Sequence, residues 1–145
     1  MNAIVCNTLS GAVTEYSNWD FHSITATAAG SATGLFEYGG EKDLDEVIVS
    51  SVRMPPTLRS STLKKHLSMA YLSMKGKGTA VFTVFGEKGK WDYPFPLRSS
   101  GQTRAQPGKG IRENYLGFGL SNPCGQHFTL DRVEVALHES KTRRV

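Results

Sequence analysis

Apolar and polar residues alternate along much of this chain with a period of two, the spacing that turns one face of a β-strand inward. Residues 3–6 and 13–16 flank the polar stretch Asn7-Thr8-Leu9-Ser10-Gly11 and together predict a hairpin. Residues 21–27 alternate weakly, and 35–38 form a brief strand ended by Gly39-Gly40. Residues 41–46 read as a polar connector. Residues 47–54 predict a strand that stops at Pro55-Pro56, because proline brings no backbone donor and fixes its own φ. The clearest strand is 79–85, β-branched and aromatic, with Gly86-Glu87-Lys88-Gly89 as the turn to a partner at 91–97. Pro94 and Pro96 place that partner at a sheet edge.

The span 60–75 has two readings. Leu63, Leu67, Ala70 and Met74 recur near helical spacing, with Ser60 or Ser61 as N-cap and Gly76 after the last turn. Leu67, Met69 and Tyr71 fit a strand instead, and the strand is favoured because everything around it is β. Residues 98–110 read as a long basic loop of Ser, Gly, Gln, Arg and Lys. Residues 115–120 alternate again, with Leu116, Phe118 and Leu120 on one face. Gly117 and Gly119 on the other leave room for something to pack closely. Phe128 and Leu130 have one parity and Val133, Val135 and Leu137 the other, so a bulge or a corner falls at Asp131-Arg132. Residues 139–145 form a C-terminal tail. The pattern as a whole predicts a single all-β domain over 1–145, a β-sandwich or paired antiparallel sheets.

Composition supports this. Gly, Ser and Thr fill 41 of 145 positions, turn and strand chemistry more than that of a helical bundle. No apolar run approaches the ~20 residues that span a bilayer, so membrane insertion is not expected. The opening Met-Asn-Ala-Ile-Val-Cys has no basic region and no long apolar one, so a secretory leader is not expected either. Cys6 and Cys124 lack CxxC spacing and suit a reducing compartment, with Cys6 read as a small buried hydrophobe in Ile4-Val5-Cys6.

Charge changes the picture more. Residues 1–52 carry one base, Lys42, against seven acids, whereas residues 53–112 carry twelve bases against Glu87 and Asp92. Three arrangements follow. Strands of the two segments interleave and the charges mix on one surface. Or the acidic surface of one copy meets the basic surface of the next and closes a ring. Or the basic segment contacts nucleic acid.

Catalytic chemistry finds no foothold. His22, His66, His127 and His138 make no pair at metal-ligand spacing. Gly76-Lys77-Gly78-Thr79 lacks the spacing of a phosphate loop, no GxSxG is present, and Asp43, Asp45 and Glu46 read as a solvated connector. Trp19-Asp20-Phe21 and Trp91-Asp92-Tyr93 are too far apart for propeller repeats. No catalytic residue, cofactor or metal is assigned, and an enzyme is not expected. Arg98, Arg104, Lys109 and Arg112 crowd a Gly-rich stretch without the interleaved aromatics of a nucleic-acid site, which suits a loop reaching over a neighbouring subunit.

The run Gln106-Pro107-Gly108-Lys109-Gly110-Ile111-Arg112-Glu113-Asn114-Tyr115, then Phe118, Asn122 and Phe128-Thr129-Leu130-Asp131-Arg132-Val133-Glu134, and the closing Arg143-Arg144-Val145, resemble small virion proteins from the tail region of tailed bacteriophages. Gly11-Ala12-Val13-Thr14-Glu15-Tyr16, Gly34-Leu35-Phe36, and Lys64-Lys65 followed by Ala70-Tyr71-Leu72 are similar to the first hairpins and the middle strand of the same group. The resemblance implies a β-rich structural subunit of the virion tail, made in the host cytoplasm and present in several copies at the tail tip or baseplate where fibres attach. Its partners would be copies of itself and the tail tube, baseplate hub or fibres. Arg98, Arg104, Lys109 and Arg112, with Arg143 and Arg144 at the terminus, are the expected contacts. The alternatives are a neck or head-tail joining ring that contacts DNA, and a carbohydrate-binding adhesin using Trp19 and Trp91 as sugar platforms.

Overall fold

A computed structural model describes residues 2–16, 20–40, 42–108 and 110–140 of the chain. These residues hold fifteen antiparallel strands and no helix, with 59% of them in strands. The all-β reading is met. Contacts divide the chain into two compact units, Met1–Gly40 and Glu41–Val145.

In the first unit β1 (Ala3–Cys6) pairs with β2 (Val13–Tyr16), Ala3 opposite Tyr16 and Cys6 opposite Val13, as the sequence pattern predicts. Asn7 builds the turn: its Oδ1 accepts from the Leu9 and Ser10 amides, and Gly11 adopts φ 70°. A three-stranded meander follows, β3 (Ser23–Ile24), β4 (Ala28–Ser31) and β5 (Gly34–Glu37). Ala29 is buried there, and Phe21 meets Phe36 edge to face at 5.7 Å. Cys6 is exposed, contrary to its reading as a buried hydrophobe, because among the described residues the two-stranded ribbon that carries it pairs with no further strand. Cys124 is likewise exposed and free.

The second unit opens with a small hairpin, β6 (Lys42–Asp43) and β7 (Glu46–Val47), where a polar connector was expected. Its body is two sheets around one apolar cluster. The first sheet runs β11-β10-β14-β8, with β8 spanning Ser51–Thr57, β10 Thr79–Phe85, β11 Lys90–Pro96 and β14 Leu116–Ser121. The second is centred on β9 (Lys65–Gly76), flanked on one edge by β12 (Gln102–Ala105) and β13 (Arg112–Glu113) and on the other by β15 (Phe128–Glu139). Leu67, Ala70, Leu72 and Met74 from the second sheet meet Phe82, Val84, Leu116, Phe118 and Leu120 from the first. Among the described residues strands β1–β7 pair only among themselves, so the acidic strands do not interleave with those of the sandwich.

Three expectations need correction. Pro55-Pro56 does not end β8. Two residues of β8, Pro55 and Pro56, lie between Met54 and Thr57 where β14 has only Gly117 between Leu116 and Phe118, so the prolines sit in a bulge on an edge strand, where a missing donor costs little. Residues 98–110 are not one loop, since β12 pairs Gln102 to Ala105 with Ser73 to Ala70. The span 60–75 is strand from Lys65 onward, and its helix-like spacing has a cause. Register along β9 and β15 slips between Leu130 and Arg132 and slips back between Ala136 and Leu137, which leaves Asp131 and Ser68 as the extra residues on opposite strands. The Ser68 bulge shifts burial from Lys65 and Leu67 to Ala70, Leu72 and Met74, so the step from Leu67 to Ala70 imitates a helical one.

The glycines of β14 do admit close packing. A Cβ at Gly117 would lie 2.7 Å from the Met54 carbonyl oxygen, and one at Gly119 would lie 2.9 Å from the Phe85 ring. The Arg53 guanidinium lies over that ring, 4.1 Å from its centre.

Candidate functional site

The outer face of the second sheet collects two of the expected contact residues. Arg104 stands opposite Tyr71, its guanidinium 5.5 Å from the ring centre, and Tyr71 is opposite Glu134 on β15. One end of the same sheet places Arg112 opposite His66 and His66 opposite His138. Arg104 and Arg112 are both exposed, while Thr103 and Glu113 next to them turn inward. Glu134 holds Arg132 at 2.6 Å. Arg98 does not join this face; it is exposed beyond β11, where its carbonyl accepts from the Gly76 amide. Lys109, Arg143 and Arg144 lie outside the described residues, as does Trp19.

At the β13 end of the sandwich is a pocket of about 580 Å³, lined by residues that include Lys64, Lys88, Trp91, Arg112, Glu113 and Asn114. Its walls come from three places. The Gly86–Gly89 turn of the β10–β11 hairpin delivers Lys88 and then Trp91, which is half-buried against the core. The approach to β9 delivers Lys64, and β13 delivers Glu113, which is only 4% exposed.

Directly opposite Glu113 in the strand pairing is Lys65, 1% exposed. A buried ammonium is tolerated only with its donors satisfied. Lys65 Nζ donates to the carbonyls of Ser61, Leu63 (2.8 Å) and Asn114 (3.1 Å), which pins the entry into β9 to the strand β13 leads into. Among the described residues Glu113 itself takes part in neither ion pair, and Asn114 Oδ1 is buried without a partner. The pocket therefore combines an aromatic face, two acceptors and a surplus of cations.

Sequence reasoning singled out Arg112 and Trp91 here but missed Glu113, Asn114, Lys64 and Lys88. A signal existed in part: Lys88 sits in the Gly86-to-Gly89 turn three residues before Trp91. The burial of Glu113 depends on pairing with a strand 48 residues away and leaves no local trace.

Among the described residues no group of three or more His, Cys, Asp or Glu could hold a metal ion, and no helix is long and apolar enough to cross a membrane. No protein-family model, curated protein or solved structure matches the chain, so its function is argued from this geometry and from the resemblance in its residues.

Proposed function

We propose that the chain is a structural subunit of a multi-copy assembly, and that the assembly is a bacteriophage tail, with the protein at the tip or baseplate. One observation carries the assembly reading. The first unit presents apolar side chains that it does not cover: Ile4 is 76%, Leu9 98% and Leu35 79% exposed, and Val5, Val13 and Ile24 are exposed as well. A two-stranded ribbon is marginal in water by itself, and apolar side chains concentrated on such a ribbon mark a surface that a partner covers. The placement in a phage tail rests on the resemblance.

Charge supplies an orientation for the contact. The acidic first unit carries Glu15, Asp20 and Glu37 and, among its described residues, no Lys or Arg, while the outer sheet face presents Arg104 and Arg112. In the proposed assembly the acidic ribbon of one copy lies on the basic sheet face of the next, and apolar burial holds what charge has aligned.

Light scattering on the purified chain at low and high salt tests this. A defined oligomer that loosens with salt is expected, and Arg104→Glu with Arg112→Glu is expected to leave a folded monomer. A wild-type monomer at every salt and protein concentration would overturn self-assembly, as would normal oligomers from the double variant for the charge contact.

A further inference from the structure

We infer that the pocket at β13 binds an acidic saccharide, a hexose-sized ring that carries a carboxylate. The volume, about 580 Å³, lies within the ~300–1,000 Å³ common for small-molecule sites. Trp91 offers a half-buried indole against which the C–H face of a sugar ring can lie.

Two groups ask for donors. The Glu113 carboxylate only accepts, and it is buried without an ion pair among the described residues. Asn114 Oδ1 is buried and unpartnered in the same lining. Adjacent sugar hydroxyls supply two donors at short spacing. An ammonium or guanidinium would also satisfy acceptors, but the field opposes it: Lys64, Lys88 and Arg112 line the pocket, and Lys65 lies across the strand pair from Glu113. One carboxylate against four cations favours an anion. A ring with hydroxyls on one side and a carboxylate on the other uses every part of the lining.

Gly86 gives independent support. A Cβ there would fall 2.7 Å from Glu113 Cγ and 2.9 Å from Trp91 Cζ3. Gly86 is not among the glycines with left-handed backbone, so space and not conformation demands the missing side chain. Its absence lets the acid and the indole come together over one point of the hairpin.

The inference does not rest on the assembly reading, because it is read on the free chain. Glucuronate, glucose and acetate are titrated against the full-length protein, followed by amide chemical shifts and tryptophan emission. Glucuronate is expected to bind with millimolar affinity and to move amides of residues 86–91 and 110–114; glucose binds more weakly and acetate not at all. Lys88→Ser, at an exposed turn, should reduce the preference for glucuronate over glucose about threefold. Trp91→Ala should weaken both sugars about tenfold, with Trp91→Phe recovering part of the loss. No shift with either sugar, shifts mapping elsewhere, or acetate binding as well as glucuronate would overturn the assignment. Unchanged selectivity in Lys88→Ser would overturn the role of the cations.

Discussion

The ribbon β1–β2 and the strand pair β10–β14 are made from the same kind of sequence. Ala3-Ile4-Val5-Cys6 is as apolar as any run in Thr79–Phe85, and both stretches pair antiparallel in regular register. Their fates are opposite: Ile4 is 76% exposed and Val84 is fully buried. Strand propensity and hydrogen bonding are common to both, so neither explains the difference. What β10 has is a second layer, with Leu72 and Met74 of β9 in the same cluster as Phe82 and Val84. Apolar alternation makes a ribbon; only an opposing sheet makes a core.

Native-state hydrogen exchange probes that contrast where the expected effect is largest. Amides of β9, β10 and β14 should open only with global unfolding, on the order of 5–15 kcal/mol for a domain of ordinary stability. Amides of β1 and β2 in the dilute chain should exchange with little protection. Equal protection in both regions would break the comparison. Protection of β1 and β2 that rises with protein concentration would sharpen it, because the missing layer would then be a neighbour.

Truncation comes next in size. Phe118 is buried, stacked on Phe82 with ring centres 5.9 Å apart, and has the Arg59 guanidinium 5.1 Å from its own ring. Phe118→Ala should cost about 3–5 kcal/mol in denaturant unfolding, through lost transfer energy and a cavity. Ile4→Ala in the same assay should stay within about 0.5 kcal/mol. A large loss from Ile4→Ala in the monomer would mean that the ribbon already has a covering layer.

Lys65→Met is a subtler break within the sandwich. It removes a desolvated charge but orphans the Ser61, Leu63 and Asn114 carbonyls and leaves Glu113 without its cross-strand cation. Orphaned buried acceptors outweigh the saved desolvation when several are left at once, so a loss of about 1–3 kcal/mol is expected. Gain of stability would show that the carbonyls find water and that the lysine serves the pocket's field instead.

How legible all this is in the sequence depends on whether the controlling interaction is local. The β1–β2 hairpin, the 79–85 strand and the Asp131 bulge follow from turn chemistry and parity within a dozen residues. The Ser68 bulge is also written there, but in disguise, because one extra residue in a strand mimics the three-then-four spacing of a helix. Gln102-Thr103-Arg104-Ala105 shows no apolar alternation at all; it becomes a strand because β9 has an edge to fill, with only small Thr103 and Ala105 turned inward. The pocket is the least legible part. Trp91, Glu113 and Lys64 meet through pairings between distant strands, and a glycine in a turn reads as conformational when its role at position 86 is spatial.

The smallest expected effect concerns a pair on the outer face of the first sheet, a buried threonine and an exposed aspartate. Thr83 Oγ1 donates to Asp92 Oδ1 at 2.7 Å across the β10–β11 pair, and Lys90 lies 3.4 Å from the other carboxylate oxygen. The hydroxyl above all, and Lys90 after it, holds the Asp92 carboxyl below its ordinary value of 3.8, against a smaller opposing effect of burial. A depressed folded-state value means that the folded chain binds fewer protons than the unfolded one, so the contribution is present above the ordinary value and fades as pH falls through the lower, folded one. Acid titration of stability should therefore show a shallow loss below about pH 4, and Thr83→Val should flatten it while Lys90→Gln flattens it less. Because the carboxylate is about half exposed, solvent screens the pair and the slope stays small. A slope unchanged in Thr83→Val would assign the acid sensitivity to other carboxylates.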